Sequence, residues 1–245
     1  MSFASDLDWA KRTGGRLSRT RTAAFIWNVA RLQFRSRRSA RRVVVSSEAD
    51  TQLPASSIVA AALAECREYC HDAIAAHCLR TFSWGCLIAV GQNLKLDREL
   101  FAVSSLLHDI EIGRTETRFA TGCHCFACSS AVRAEAFAKS QGRDQVWARR
   151  VGDAISSHLD PNVPLSLGAE AHVLQAAAAL DVIGVGLSRV TPSARADILA
   201  KYPRNGFKAE LVRAMECEAA YGESTRAAFL MSRGFAQRVL RAPLD

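Results

Sequence analysis

An adjacent histidine and aspartate, His108 and Asp109, follow an apolar helical stretch that begins at Ser104. A helix this hydrophobic has little reason to carry two ionisable side chains next to each other. Burying either one without a partner is strongly unfavourable, so a buried His–Asp pair is normally bound to a metal ion or to another charge. The pair therefore predicts a metal site at the end of this helix.

Two residues elsewhere in the chain can complete such a site. His77 lies in an upstream helical pattern, and Asp181 is the one carboxylate in the apolar stretch 176–184. Asp181 shares a helical stripe with Leu174 and Ala178, so its side chain should face the interior. Two imidazole nitrogens and two carboxylate oxygens form a ligand set suited to zinc, iron(II) or manganese.

Three short motifs around these residues resemble those of a known family. They are His77-x-x-Arg80-Thr81-x-x-x-Gly85, then Asp97-x-Glu99-Leu100 followed by Leu106-Leu107-His108-Asp109, and finally Ala179-Leu180-Asp181-Val182-Ile183-Gly184. Their order, His…His-Asp…Asp, is similar to that of the HD-domain metal-dependent hydrolases, and the motifs resemble the cyanamide-hydratase-like branch of that superfamily. The resemblance covers residues 56–241 and implies an all-α HD-domain helical bundle.

The resemblance also implies roles for single side chains. It implies a set of four ligands for a divalent metal ion, zinc first with iron or manganese as alternatives: His77, His108, Asp109 and Asp181. Arg80 matches a motif residue that contacts the substrate or supports the ligands. His158 matches a helix-terminal histidine that contacts the substrate or transfers a proton near the metal. The alternatives are structural: an arginine that bridges helix ends, and a histidine satisfied inside the core.

Helical spacing places both of these residues on inward faces. Arg80 and Trp84 follow His77 at three and seven positions, so they share its face and can reach the same cavity. His158 follows Ile155 by three positions on the apolar stripe of its own helix. By contrast, His172 is about half a turn out of phase with Asp181, and we assign it to the surface.

The segment after Asp109 departs from the family pattern. Glu111 stands where hydratase-like relatives usually have glycine, which leaves the loop over the site, and hence the substrate, open. Further along, the segment 123–128 carries three cysteines and one histidine. A structural zinc site is one interpretation, but no second Cys/His pair follows at the usual spacing, so we favour a loop of small residues.

The elements that must position these residues are helices. The chain is rich in Ala, Leu and Arg and has little of the alternation that marks β-strands. The periodicity predicts helices over residues 1–15 (one short helix and a break), 20–38, 56–69, 77–94, 97–110, 129–140, 143–158, around Asp181, 192–202, 207–221 and 224–240. Asp97 is the expected N-cap of the helix that ends in the His–Asp pair.

All of the excess positive charge lies at the N-terminus. The net charge is +8, yet residues 1–45 alone carry Lys11 and ten arginines against two aspartates, a net charge of +9. We therefore divide the chain into a basic extension with a linker, residues 1–50, and an HD domain, residues 51–245. Residues 16–42 contain a basic amphipathic helix, with Ile26 and Trp27 on its apolar face. It packs on the domain or on a second subunit, or contacts an anionic surface.

Composition also indicates where the protein works. Eight cysteines without a recognisable secretory leader fit a reducing compartment, so we expect a cytoplasmic protein. No uninterrupted apolar stretch reaches about 18 residues, so we expect no transmembrane segment.

Three function classes remain open. The first is a hydratase or hydrolase that directs water onto a nitrile or C–N bond of a small molecule. The second is a phosphohydrolase or phosphodiesterase acting on a nucleotide. It is weakened because no lysine follows the His–Asp pair at the family's offset and because residues 46–245 are nearly neutral. The third is a non-enzymatic binding protein that works through its basic N-terminal helix.

Overall fold

The computed structural model describes residues 5–38, 49–115 and 122–244, and of residues 29–38 it describes only the backbone. Within these ranges the chain forms α-helices and no β-strand, so the predicted all-α class is confirmed. Of the predicted linker, which spans residues 43–51, residues 43–48 lie outside the described residues. The helices are α1 Leu7–Thr13, α2 Arg19–Arg38, α3 Ser57–Tyr69, α4 Asp72–Gly91, α5 Arg98–Leu107, α6 Phe126–Ser140, α7 Gln145–Ser157, α8 Ala169–Ile183, α9 Pro192–Lys201, α10 Phe207–Tyr221, α11 Arg226–Ser232 and α12 Phe235–Leu240.

Side-chain caps set the starts of the two helices that lead to the site. Asp97 accepts a hydrogen bond from the backbone N–H of Leu100, so the predicted N-cap of α5 is confirmed. Helix α4 begins at Asp72, five residues before the predicted start at His77. The reason is His71, whose Nδ1 accepts a hydrogen bond from the N–H of Ala73. His77 therefore lies inside α4, where two flanking turns fix its backbone.

Helix α5 ends at Leu107, whereas the sequence pattern predicted an end at Ile110. The N–H of Ile110 bonds to the carbonyl of Leu107, and the N–H of Ile112 bonds to the carbonyl of Asp109. These short-range bonds replace the α-helical ladder with a tight turn. His108 and Asp109 thus lie just after the last residue of α5, where their side chains can point in different directions.

Two other predicted boundaries were wrong. The single helix expected over residues 224–240 is two helices, α11 and α12, because Gly234 adopts a left-handed conformation with φ 77°. A non-glycine residue rarely adopts this conformation, so the glycine permits the break. Helix α6 begins at Phe126, three residues before the predicted start at Ser129.

Helix α4 is the centre of the bundle and packs against α3, α5, α8, α9 and α10. Gly85 allows this close approach, since a Cβ atom there would lie 2.1 Å from Cζ of Phe101 and 3.0 Å from Cγ1 of Val173. By length and composition alone α4 could cross a membrane, but 78% of its most apolar window is buried inside the protein. This burial is that of a core helix and is compatible with a soluble protein.

The N-terminal helices contact the rest of the bundle to different extents. Helix α1 packs against α6 and α7, and its Leu7 and Trp9 are buried in the common core. On α2, Phe25 is buried and its ring meets that of Phe229 at 5.1 Å between centroids. The predicted apolar face points elsewhere: Ile26 is 42% exposed and Trp27 is 69% exposed. These two side chains are therefore exposed on the domain surface, and the contact of the predicted apolar face with a second subunit or an anionic surface stays a prediction.

Candidate metal centre

Three buried side chains converge where α4 meets the end of α5. Nε2 of His77 lies 3.1 Å from Nε2 of His108, and Oδ2 of Asp109 lies 3.6 Å from the first nitrogen and 3.4 Å from the second. All three side chains are buried. Across the part of the chain that the structure describes, they form the one group of three or more His, Cys, Asp or Glu residues that could hold a metal ion.

Hydrogen bonds at the far side of each ring determine which nitrogen faces the centre. Nδ1 of His108 lies 2.8 Å from the carbonyl oxygen of Ser105, and a carbonyl can only accept, so Nδ1 carries the proton. Nδ1 of His77 likewise donates to Oδ2 of Asp181 at 2.7 Å. In the neutral rings both Nε2 atoms therefore present lone pairs to each other. This arrangement is the one that protein metal sites use to orient histidine ligands.

The centre contains more acceptors than donors. Two imidazole lone pairs face each other at 3.1 Å beside a carboxylate. Among the described residues, no hydrogen bond reaches the buried Oδ1 of Asp109. Facing acceptors repel each other, and a buried polar atom without a hydrogen bond costs about 1–3 kcal/mol. A divalent cation bound between them would remove both penalties, so the residues fit a metal ion.

The pKa values around the centre favour a cation over extra protons. Burial is the largest influence on His108 and lowers its pKa to about 3, so the ring is neutral near pH 7. For Asp109, burial alone would raise the pKa. The imidazoles of His108 and His158 outweigh it and hold the pKa below its ordinary value. Neutral histidine and ionised aspartate are the forms that bind metal.

Asp181 is fully buried, as predicted, and surrounded by donors. Its carboxylate accepts from Nε of Arg80 at 2.9 Å, from Nε1 of Trp84 at 2.8 Å and from Nδ1 of His77 at 2.7 Å. Arg204 adds a contact at 3.2 Å. Burial would raise the pKa of Asp181, but His77 and Arg80 together hold it low. In this arrangement Asp181 orients His77, and its predicted role as a fourth ligand stays a prediction.

The Asp181→Asn variant separates these two roles. Asparagine keeps the shape of the side chain but removes its charge. If Asp181 only orients His77, the variant should bind zinc about 10–100-fold more weakly, the usual effect of losing a residue that hydrogen-bonds to a metal ligand. Competition with a chromogenic zinc chelator measures this change. A loss as large as that caused by Asp109→Ala would instead show that Asp181 coordinates the metal.

Arg80 lies beneath the centre rather than in a cavity. The guanidinium is fully buried and also donates to the carbonyls of Tyr202 and Pro203, at 3.3 and 3.0 Å. Its influence on the site therefore passes through Asp181. Phe207 completes this lower side, because its ring stacks on that of His77 with 4.9 Å between centroids. Arg204 and Phe207 could not be predicted from the sequence, since nothing in their spacing connects α10 and the loop before it with α4.

His158 reaches the other side of the centre, as its inward-facing position predicted. Its Nε2 lies 3.4 Å from Oδ1 of Asp109, and its Nδ1 donates to the carbonyl of Ile155 at 2.6 Å. The ring is nearly perpendicular to that of His108, with 5.0 Å between centroids. Because Nδ1 bonds to Ile155, Nε2 is the ring nitrogen that faces the carboxylate of Asp109. His158 is therefore in position to hold a proton beside the metal group.

The pH dependence of stability follows from His108. Its folded-state pKa of about 3 is lower than the unfolded value, so the unfolded chain binds the proton more readily. This contribution to stability is fully present above about pH 6.5 and is lost as pH falls toward 3. The pKa values of Asp109 and Asp181 are also lowered, so their contributions to stability are likewise lost as the pH falls below about 4.

We therefore expect the metal-free protein to lose stability between pH 7 and 4.5, by up to about 1.4 kcal/mol per pH unit from His108 alone. Urea unfolding at several pH values measures this. His172→Ala is the matched control, because His172 lies outside the site and bonds to the carbonyl of Val163. A urea unfolding midpoint that stays the same between pH 7 and 4.5 would contradict the lowered pKa of His108.

The Cys123–Cys128 segment is separate from this centre. Its cysteines do not belong to the candidate metal-binding group among the described residues. The position of His172 also agrees with its assignment as a residue outside the site, since its ring contacts the carbonyl of Val163 and the side chain of Gln92.

Comparisons with known proteins add no assignment. No protein-family model matches the chain, and the search of curated proteins gave no match.

Proposed function

We propose that this protein is a metal-dependent enzyme of the HD superfamily that adds water to a nitrile or C–N bond of a small molecule, as cyanamide-hydratase-like proteins do. The observation that carries the proposal is the convergence of two imidazole lone pairs and a carboxylate in a buried space, with a third histidine alongside. Zinc is the first choice of metal, because two nitrogens and a carboxylate oxygen with a position left open are typical of catalytic zinc.

Two features support a small, neutral substrate. The side chains of His77, His108 and Asp109 are each at most 5% exposed, so a substrate that reaches them has to be small. Arg80 and Arg204, the two arginines that contact Asp181, also donate to backbone carbonyls. They are arranged to hold the carboxylate of Asp181 rather than to clamp a phosphate.

The chain's own residues have distinct tasks in this chemistry. His77, His108 and Asp109 would hold the metal ion, which when bound lowers the pKa of water from about 15.7 to about 7 and so supplies hydroxide at neutral pH. His158 would hold a proton on Nε2 and donate it to the substrate nitrogen. In the net reaction oxygen adds to carbon, both hydrogens of water end on the nitrogen side, and a nitrile becomes an amide.

The phosphohydrolase alternative makes a different prediction about the metal. Phosphoryl transfer on this type of fold commonly uses two ions about 3.5–4 Å apart. The described residues supply one compact group rather than two, so we rank this alternative second. The non-enzymatic alternative assigns the work to α2, whose exposed Trp27 adjoins a strongly basic segment.

The experiment is a paired assay of zinc-loaded protein with cyanamide, reading urea, and with nucleotides and p-nitrophenyl phosphate, reading phosphate. We expect turnover of the nitrile. His158→Gln should lower kcat by about 10²–10⁴-fold while zinc stays bound. Phosphate release that needs two metal equivalents would favour the second candidate. No turnover with zinc, iron or manganese would contradict an enzymatic role and leave α2 as the working part.

A further inference from the structure

Two thiols are in direct contact at the start of α6. The Sγ atoms of Cys123 and Cys128 lie 2.9 Å apart, and both side chains are buried. A disulfide requires a separation of about 2.05 Å, so a small movement of the side chains would bring the sulfurs to bonding distance. Nothing in the proposed chemistry uses these two residues.

The pair lies between the N-terminal segment and the metal centre. The thiol of Cys128 donates to the carbonyl of Ala10 on α1 at 3.3 Å. Next to it, a Cβ atom on Gly15 would lie 3.2 Å from Cβ of Cys128, so the backbone approaches closely here. Phe126, within the same turn, contacts the ring of His158 with 5.7 Å between centroids. A chemical change at these thiols would therefore directly affect groups that contact α1 and His158.

We propose that Cys123 and Cys128 form a reversible disulfide when the protein is exposed to a peroxide. In the first step the sulfur of Cys123 attacks hydrogen peroxide, which gives a sulfenic acid and one water. In the second step the thiol of Cys128 attacks that sulfur, the S–S bond forms, and the hydroxyl group leaves with the thiol proton as a second water. A dithiol reductant returns both thiols by exchange.

Oxidation would change the contacts on both sides. Cys128 would lose its S–H and with it the hydrogen bond to Ala10, while the turn that carries Phe126 would be fixed by a covalent link. The proposal does not depend on the proposed enzymatic function, because it rests on the sulfur contact alone.

Peptide mapping tests the proposal directly. The folded protein is treated with hydrogen peroxide, alkylated and digested with trypsin, and residues 119–133 form one peptide that contains both cysteines and Cys125. The background is Cys217→Ser, because Cys217 is exposed and could link two chains. We expect two cysteines of this peptide to escape alkylation, and the mass of the unalkylated peptide to fall by about 2 Da because two hydrogens are lost. Reduction with dithiothreitol should restore the original mass.

Matched variants identify the pair. The change should persist in Cys125→Ser and disappear in Cys123→Ser and Cys128→Ser, each first checked for native helicity by circular dichroism. If a buried serine prevents a variant from folding, mapping of the wild-type protein still tests the proposal, because fragment ions show which two cysteines are linked. Full alkylation of Cys123 and Cys128 after treatment, or a link that involves Cys125, would overturn the proposal.

Discussion

Replacing Asp109 with alanine is expected to weaken zinc binding by at least about 100-fold while the protein stays folded. Asp109 supplies the one carboxylate whose oxygens face both His108 and His158, at 3.4 Å each. Without it, the compact group that faces the metal position keeps the imidazoles of His77 and His108 and loses its negative charge. Losing an outer partner of a ligand already costs about 10–100-fold, so loss of a charged ligand should cost more.

Zinc affinity is measured by competition with a chelator, and folding by circular dichroism. Asp72→Ala is the matched control, since it removes an exposed aspartate from the first turn of α4, the helix that carries His77. We expect wild-type affinity in the control. Equal zinc affinity in Asp109→Ala and wild type would show that the metal binds elsewhere.

Replacing Arg80 with alanine is expected to cost about 3 kcal/mol of unfolding free energy. Removing one partner of a buried ion pair costs about 3–5 kcal/mol, because the other charge is left buried. Here Arg80 and Asp181 are both fully buried and joined by hydrogen bonds of 2.9 and 3.0 Å. The lower end of the range applies because Arg204 still contacts Asp181 at 3.2 Å.

Urea unfolding of metal-free protein measures this loss without interference from bound zinc. Arg213→Ala provides the comparison: its side chain is 61% exposed and pairs with Glu210 on the surface of α10, so its loss should cost less than about 1 kcal/mol. Similar midpoints for Arg80→Ala and wild type would contradict the role of Arg80 as the anchor of Asp181.

Much of the site could be predicted from sequence because helical spacing determines which way a side chain faces. The stripe through Leu174 and Ala178 placed Asp181 in the interior, where it is fully buried. The same reasoning turned His158 inward, while its position near the metal was implied by the family resemblance; its Nε2 lies 3.4 Å from Oδ1 of Asp109. The two inward orientations needed only the period of the helix and the cost of burying a charge, both of which are local properties of the chain.

Contacts made by residues distant in the sequence could not be predicted in this way. Helical phase states that Asp181 and Arg80 face inward, but it does not state that Arg80 and Trp84 hold the carboxylate against Nδ1 of His77. Those contacts depend on how α4 and α8 cross. The exposure of Trp27 could not be predicted either, since an apolar face in the sequence does not say what covers it.

We propose that one metal ion binds between His77, His108 and Asp109. The most direct test is anomalous diffraction from crystals grown with zinc, with data collected above and below the zinc absorption edge. We predict a single peak within about 2.0–2.2 Å of both Nε2 atoms and a carboxylate oxygen of Asp109. A peak only at the Cys123–Cys128 segment, or no peak at the histidines, would show that no metal ion binds between these three residues.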